Sequence, residues 1–179
     1  MTPSDRSILW ELCFGDAPDV AESFLGISDV TTLEERQGGE LIGMASLVPV
    51  STESGLSGFY AYGVCTHPDH RGRGVFTKIM KKCEREAIAR GLDFICLIPA
   101  TERLADTYAR IGYSKRIALY DASCKAGEAI VSDSRGFCGF ATPDNENAPL
   151  LTVDFGVMKP LSERAEMKKF HFSSPMGER

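Results

Sequence analysis

One glycine-rich segment constrains this chain of 179 residues more than any other. Arg71-Gly72-Arg73-Gly74-Val75-Phe76 follows an aromatic and β-branched run, residues 59–65, and precedes a run with helical spacing. Glycine accepts positive φ angles without steric penalty, so the backbone can turn sharply there and expose consecutive N–H groups. Because a helix start adds about half a unit of positive charge, the segment is a candidate site for an anion such as a diphosphate. The alternative is a turn that only joins a strand to a helix.

The residues after this segment predict an amphipathic helix of about 16 residues, a buried strand and a second helix. Gly91 supplies a left-handed end for the first helix, and Thr101 can cap the second. A short crossover favours parallel pairing of the strands at 59–66 and 93–98. The apolar positions of the two helices are Val75, Phe76, Ile79, Met80, Cys83, Ala87 and Ile88, then Leu104, Ala105, Tyr108 and Ile111.

Two helices and a hairpin are predicted before the segment. Apolar spacing from about Asp5 to Phe24 indicates helix, which Gly15 and Pro18 divide in two. Gly38-Gly39 between two strand-like runs predicts the hairpin turn.

The pattern is weaker in the C-terminal part of the chain. Strands are predicted at residues 117–120 and 150–157, and loops or short strands at 121–147. Residues 162–179 are predicted to form a polar, partly disordered tail.

Charge and composition exclude several classes of partner. The chain has 20 Lys and Arg against 25 Asp and Glu, a net charge of −5, and therefore lacks the basic stripe of a nucleic-acid binder. Its longest uncharged apolar stretch, from Leu41 to Val50, is shorter than the ~20 residues that a bilayer requires, so no membrane partner is expected.

The first residues lack the pattern of a secretion signal. Six cysteines without a C-x-x-C pair are interpreted as reduced thiols of a cytoplasmic protein: Cys13, Cys65, Cys83, Cys96, Cys124 and Cys138.

Two common phosphate-binding motifs do not fit the glycine segment. A dinucleotide fingerprint needs an acidic residue about 20 positions later, at the end of the next strand. Here that strand ends in Leu97-Ile98-Pro99. A Walker loop needs Gly-Lys-Ser or Gly-Lys-Thr, which the segment lacks.

The stretch from Val64 to Gly74, VCTHPDHRGRG, resembles the GNAT superfamily of acyl-CoA-dependent N-acyltransferases. That family's signature is a strand, a His-Pro or Asp-Pro step, and a Q/R-x-x-G-x-G/A loop that opens a long helix. A Tyr-x-x-x-Gly-Phe/Tyr pattern follows downstream, and Tyr108 to Tyr113, YARIGY, matches it. The resemblance is strong from Phe59 to about Tyr113 and poor after Ile117.

The resemblance implies an α+β fold, a three-layer α/β arrangement in which helices flank a mixed, mostly antiparallel sheet. A central parallel strand pair would be splayed at the cofactor cleft. One acyltransferase domain would cover residues 1–160, followed by a polar tail, 161–179.

The implied function is that of an N-acetyltransferase. An acetyl group moves from acetyl-CoA to a primary amine by direct attack in a ternary complex, without a metal. The acceptor would be a small-molecule or peptide amine, and a homodimer is one assembly the resemblance allows. The alternative is a non-catalytic acyl-CoA-binding regulatory module.

The same resemblance assigns cofactor-binding residues. Val64, Cys65 and Thr66 would pair their backbone with the pantetheine arm as an added strand. Arg71 and Arg73 would add positive charge. Phe76 stands where the motif prefers Gly or Ala, which is tolerable if the ring points into the core. Thr101 stands where many members have an Asn that contacts the cofactor; it either substitutes for that Asn or only caps the helix. The diphosphate would be held by the N–H groups of Gly72, Arg73, Gly74, Val75, Phe76 and Thr77.

For the chemistry, the family implies that Tyr108 protonates the departing sulfur; the alternative is that Tyr108 only packs in the core. Backbone N–H groups near Cys65 or Thr66 would stabilise the oxyanion. Some members carry a glutamate base at the position of Tyr60, so a water relay or a remote carboxylate is expected here instead.

Cys65-x-His67-x-x-His70 offers two further hypotheses, a metal site and a cysteine nucleophile. The metal site lacks a fourth ligand nearby, and nothing in the sequence supports acyl-enzyme chemistry. His67 and His70 are expected to be exposed on the loop.

Overall fold

The computed structural model describes residues 3–51, 55–120, 131–132, 136–138 and 153–167. The chain divides into two compact units, Met1–Val48 with Ala61–Glu86, and Pro49–Tyr60 with Ala87–Arg179. In chain order the elements are α1 (Asp5–Phe14), α2 (Pro18–Leu25), β1 (Thr31–Gln37), β2 (Glu40–Ser51), β3 (Ser57–Thr66), a 3-10 turn (Pro68–His70), α3 (Val75–Ala89), β4 (Phe94–Leu97), α4 (Glu102–Ala109), β5 (Lys115–Tyr120), β6 (Val131–Ser132), β7 (Gly136–Cys138), β8 (Val153–Pro160) and α5 (Glu163–Met167).

In the first unit, β1 and β2 form the predicted hairpin. They pair antiparallel from Thr31 opposite Leu47 to Gln37 opposite Glu40. Gly38 and Gly39 both have positive φ, +60° and +91°, which is the backbone conformation that a two-residue hairpin turn requires.

The predicted division of the N-terminal helix is also confirmed. Gly15 ends α1 with φ +83°, and Pro18 is the first residue of α2, where its missing N–H costs no helical hydrogen bond. Three aromatic rings pack together in this unit. Trp10 lies 5.5 Å from Phe24 and 5.6 Å from Tyr62 between ring centroids, and Phe24 lies 4.9 Å from Tyr62.

Helix α3 has the predicted apolar face, with Ile79 and Cys83 fully buried. Lys82 on its polar side forms an ion pair with Glu35 of β1 at 2.6 Å. The prediction that Ile88 belongs to the apolar stripe is wrong, because this side chain is 61% exposed. One residue beyond the buried Ala87 turns about 100° around the helix axis, which carries Ile88 off the buried face.

The second unit contains a mixed sheet whose strand order is β3-β4-β8-β5-β7-β6. The predicted parallel pairing of β3 with β4 is confirmed and joins Gly58–Phe94, Phe59–Ile95 and Tyr60–Cys96. Strand β8 pairs antiparallel with β4 and with β5, and β6 pairs antiparallel with β7. The short strand β7 pairs parallel with β5, a second parallel pair that the sequence did not predict.

These pairings agree with the predicted fold class, a mostly antiparallel mixed sheet with a parallel pair and flanking helices. The segment predicted as a polar tail begins with helix α5. The predictions for residues 121–130, 133–135, 139–147, 150–152 and 168–179 lie outside the described residues. A single domain over residues 1–160 stays a prediction. None of the described helices is long and apolar enough to cross a membrane.

Asp93 joins three elements of the second unit. One carboxylate oxygen accepts a hydrogen bond from the Ser57 N–H at 3.0 Å, and the other accepts one from the Ser162 hydroxyl at 2.6 Å. The Asp93 N–H donates to the Ser57 carbonyl at 2.7 Å, and its own carbonyl accepts from the Leu161 N–H at 2.7 Å. Burial acts to raise the pKa of Asp93, but the hydrogen bonds from Ser162 and Ser57 and the charge of Arg164 hold it below its usual value. The ionised carboxylate therefore ties the starts of β3 and β4 to the chain that leads into α5.

We expect Asp93→Ala to lower the free energy of unfolding by about 2–3 kcal/mol, because two part-buried donors lose a charged acceptor. Asp106→Ala, which removes an exposed carboxylate from α4, should have an effect of less than about 0.5 kcal/mol. Since the folded pKa is depressed, the contribution of Asp93 is fully present above its ordinary pKa of 3.8 and is lost as pH falls through the folded value. Urea unfolding at neutral and acidic pH measures both effects. Equal losses for the two variants at neutral pH would contradict the prediction.

Candidate cofactor-binding and active site

Two glycines shape the loop that leads from β3 to α3. Gly72 has φ +72° and Gly74 has φ +79°, the left-handed conformation that other residues adopt only with strain. A Cβ atom built on either glycine would meet no heavy atom within 4 Å. Backbone conformation, rather than packing, is therefore what requires glycine here. Residues 71–74 are all exposed, as a ligand-binding loop must be.

The loop leads into the N-terminus of α3. The first helical hydrogen bond runs from the Lys78 N–H to the Gly74 carbonyl at 3.1 Å. The N–H groups of Val75, Phe76 and Thr77 lie in the first turn, before the first helical hydrogen bond. No carbonyl of the helix lies four residues before them to accept a hydrogen bond. Together with the helix dipole, these donors suit an anion. The loop and the first turn of α3 are called the anion cradle below.

A close approach between α3 and β2 positions this cradle. A Cβ atom at Gly43 would lie 2.7 Å from a Val75 methyl and 3.5 Å from Ile79. Val75 itself is 4% exposed. Only glycine at position 43 lets the first turn of α3 lie this close to the strand. Phe76, the next residue, is half-buried.

The short turn before the cradle uses both histidines. The His67 Nδ1 accepts a hydrogen bond from the Asp69 N–H at 3.2 Å and so caps the 3-10 turn. The His70 Nε2 lies 3.6 Å from a carboxylate oxygen of Glu40. The expectation that both histidines are exposed is wrong: both are half-buried, because the turn folds back against the start of β2.

Within the described residues, no group of three or more His, Cys, Asp or Glu side chains is arranged to hold a metal ion.

Strand β3 reaches the cradle through a kink at Gly63. This glycine has φ +58°, and a Cβ atom there would lie 2.5 Å from the Trp10 ring. The three predicted pantetheine-pairing residues follow the kink, with Cys65 buried and its two neighbours half-buried. The Thr66 carbonyl already accepts a hydrogen bond from the Arg71 Nε at 3.3 Å and contacts the Cys13 thiol at 3.6 Å. Its capacity to pair with a ligand is therefore partly used.

Cys13 is a residue of this site that sequence reasoning missed. Its thiol donates a hydrogen bond to the Thr66 carbonyl and interacts with the thiol of Cys65, which is distant along the chain, and no local sequence signal links the two cysteines. The interaction with Cys65 lowers the pKa of Cys13 to about 7, against the effect of burial, and the nearby Arg71 guanidinium lowers it further. Conversely, the Cys13 sulfur and burial raise the pKa of Cys65. Of the two thiols, Cys13 is therefore the one whose ionised form its surroundings favour.

In the second unit, Thr101 and Tyr108 lie at opposite ends of α4. The Thr101 hydroxyl caps the helix, accepting a hydrogen bond from the Leu104 N–H at 3.2 Å. Leu104, one of the apolar positions on which this helix was predicted, is 40% exposed. Tyr108 is 6% exposed and packs edge-on against Tyr113, with 5.9 Å between ring centroids. Its packing is thus established, and its role as an acid stays a prediction.

The two tyrosines at the position expected of a base do not supply one. Tyr60 is 6% exposed and belongs to the three-residue pairing of β3 with β4. Tyr62 packs in the aromatic cluster, where burial and then the charge of Asp16 raise its pKa. Tyr62 therefore stays protonated at neutral pH.

Comparison with known proteins gives a family match and several structural likenesses. The family model described as "Acetyltransferase (GNAT) domain" matches residues 7–116. No curated protein matches the chain.

Three solved structures illustrate the structural likeness. The IAA acetyltransferase from Bacillus cereus ATCC 14579 is 16% identical, with a TM-score of 0.53 over 86% of this chain and 91% of that one. The ribosomal-protein-S18-alanine N-acetyltransferase from Escherichia coli is 11% identical, with a TM-score of 0.54 over 88% and 86%. Eis1 from Mycobacterium abscessus is 23% identical, with a TM-score of 0.51 over 65% of this chain. The chain spans only 31% of the length of Eis1. These likenesses show the fold.

We expect Gly63→Ala to lower the free energy of unfolding by about 3 kcal/mol, because the new methyl group meets the Trp10 ring and the backbone is strained. Gly39→Ala is the matched control, since Gly39 has φ +91° and open space around its Cβ position. Strain alone should make that variant less stable by about 1 kcal/mol. Trp10 is the single tryptophan, so its fluorescence during urea unfolding reports on both variants. Equal losses would show that the contact with Trp10 contributes nothing.

Proposed function

The chain belongs to the GNAT acetyltransferase family, and from this premise we propose that it moves an acetyl group from acetyl-CoA to a primary amine. The amine attacks the thioester directly while both substrates are bound. The observation that carries the proposal is the anion cradle, in which the left-handed Gly72 and Gly74 lead into the first turn of α3. The acceptor is proposed to be a small-molecule or peptide amine. Assembly as a homodimer and a cytoplasmic location stay predictions.

The residues of the cradle fit a diphosphate. Its donors are backbone N–H groups, the positive end of the helix dipole lies behind them, and both glycines leave open space where a side chain would project. The N–H groups of residues 72–77 would hold the diphosphate, and Arg71 and Arg73 would add charge. Phe76 contributes through its backbone, so its half-buried ring is compatible with this role. Thr101 is proposed to contact the cofactor with the hydroxyl hydrogen, which its capping bond leaves available.

The other roles follow from the family pattern. Val64, Cys65 and Thr66 would pair their backbone with the pantetheine arm, and N–H groups near Cys65 or Thr66 would stabilise the oxyanion. The coenzyme supplies an activated thioester. Tyr108 would donate its phenolic proton to the departing sulfur, since a phenol pKa near 10 is comparable to that of the thiol formed.

A non-catalytic acyl-CoA-binding module is the second candidate. It is favoured by one observation, that Tyr60 stands where a carboxylate base would be and that Tyr62, two residues further along the strand, stays protonated. Release of free coenzyme A thiol in the presence of a panel of amines supports the transferase. Stoichiometric acetyl-CoA binding without thiol release supports the module.

The cradle can be tested with Gly74→Asp. The aspartate carboxylate would repel a diphosphate and compete for the helix N–H groups, so we expect acetyl-CoA to bind about 10- to 100-fold more weakly. Gly38→Asp places the same charge at φ +60° in the β1–β2 turn, also with open space around the Cβ position, and should leave the affinity unchanged. Isothermal titration calorimetry measures both. Unchanged affinity in Gly74→Asp would refute the cradle.

Tyr108→Phe tests the proposed acid. We expect kcat to fall about 100-fold, with the affinity for acetyl-CoA nearly unchanged, because only the proton donor is removed. Tyr113→Phe removes a hydroxyl from the ring that packs against Tyr108 and should retain most of the turnover. Full turnover in Tyr108→Phe would assign this residue to packing alone.

A further inference from the structure

Two cysteines from distant parts of the chain meet beside the anion cradle. Cys13 is the next-to-last residue of α1, and Cys65 lies near the end of β3. The Cys13 thiol donates a hydrogen bond to the carbonyl oxygen of Thr66, the residue after Cys65, at 3.6 Å. The two thiols also interact electrostatically. Cys13 is half-buried, whereas Cys65 is 8% exposed. The pair thus combines one thiol that solvent can reach with one that it barely reaches.

We propose that Cys13 and Cys65 are a reversible redox pair that closes to a disulfide, and that a coenzyme bound in the anion cradle slows this closure. Cys13 is the reacting thiol and Cys65 is the resolving thiol. The first part rests only on the contacts of these two residues. The second part rests on the proposed function.

The chemistry requires an external oxidant, for which we name a low-molecular-weight disulfide. The Cys13 thiolate attacks one sulfur of that disulfide, whose S–S bond breaks, and one small thiolate leaves. Cys65 then loses its proton to solvent, and its thiolate attacks the Cys13 sulfur, displacing the second small thiolate. The protein loses two protons and two electrons, and the small disulfide is reduced to two thiols.

The contacts favour this order of events. Arg71 and the Cys65 thiol stabilise the Cys13 thiolate, so Cys13 reacts first. The charge on Cys13 is also one cause of the raised pKa of Cys65. Once Cys13 is in a mixed disulfide, that charge is gone and Cys65 can ionise and attack.

Cys83 and Cys96 lack these properties. Cys83 and Cys96 are both fully buried. Burial raises the pKa of Cys83 to about 12 and that of Cys96 well above its usual value. Neither presents a thiolate to a solvent-borne oxidant.

Arg71 links the pair to the proposed cofactor. Its guanidinium stabilises the Cys13 thiolate and is also the first charged group of the cradle. A diphosphate near Arg71 would offset part of its positive charge and so disfavour the thiolate. A bound coenzyme is therefore expected to raise the pKa of Cys13 and slow its reaction.

The full chain with Cys124→Ser and Cys138→Ser retains the four thiols discussed above. Treated with glutathione disulfide and followed by intact mass, it should lose two hydrogens, and peptide mapping should find a Cys13–Cys65 link that dithiothreitol reverses. Cys65→Ser and Cys65→Ala in this background should stop at a glutathione adduct on Cys13, and Cys13→Ser should remain unmodified. A lasting adduct on Cys13 without a link in the parent protein, or modification of another cysteine first, would overturn the pair.

A second measurement needs no cysteine variant. Alkylation of Cys13 by iodoacetamide should follow an ionisation with a midpoint at about pH 7. A midpoint at the ordinary thiol pKa of 9.0 would remove the reason why Cys13 reacts first.

Desulfo-coenzyme A, which has neither a thiol nor a thioester, tests the coupling. At saturation it should slow the reaction of Cys13 with glutathione disulfide about 2-fold or more at pH 7, as a pKa increase of half a unit or more would do. Calorimetry on the same sample shows whether the probe binds. Binding without slower oxidation would overturn the coupling. Absence of binding would overturn the proposed function together with the coupling, while the mass measurement would still decide the disulfide.

Discussion

The first unit depends on two places where the absence of a side chain lets a helix lie unusually close to a strand. At Gly43 a Cβ atom would be 2.7 Å from Val75 of α3, and at Gly63 it would be 2.5 Å from Trp10 of α1. The first contact fixes where α3 begins and therefore where the N–H groups of its first turn point. The second holds α1 against β3, which brings Cys13 to Cys65. Both halves of the candidate site thus follow from close packing against glycine.

Local properties explain what could be predicted from the sequence. Positive φ at Gly38 and Gly39 and the apolar period of α3 depend on residues near one another in the chain, so the hairpin and the helix were predicted correctly. The errors at Ile88 and Leu104 have a common cause. Periodicity tells which residues share a helix face, but only tertiary structure tells how far the covering surface extends along that face.

Tertiary contacts account for what could not be predicted. Cys13 and Cys65 have unremarkable sequence surroundings, and only the packing of α1 on β3 brings them together. The same holds for Asp93, which joins segments that begin near residues 57 and 161. His67 was expected to be exposed because it lies in a loop, yet its ring caps the next turn. Each of these roles depends on a partner that sequence spacing does not identify.

The division between backbone and side-chain chemistry also limits what the family implies. The cradle is built from N–H groups, so it needs left-handed glycines and a helix start but tolerates Phe76 in place of a smaller residue. A base must instead be a particular side chain, and at Tyr60 this chain departs from the family pattern. The acceptor would be bound by side chains too, largely those of loops. A cofactor class can therefore be inferred from one glycine-rich loop, whereas the amine depends on residues that no backbone motif specifies. Arg71 is a side chain of the cradle loop that also lowers the pKa of Cys13, and the coupling that we propose between the thiol pair and the cradle depends on it.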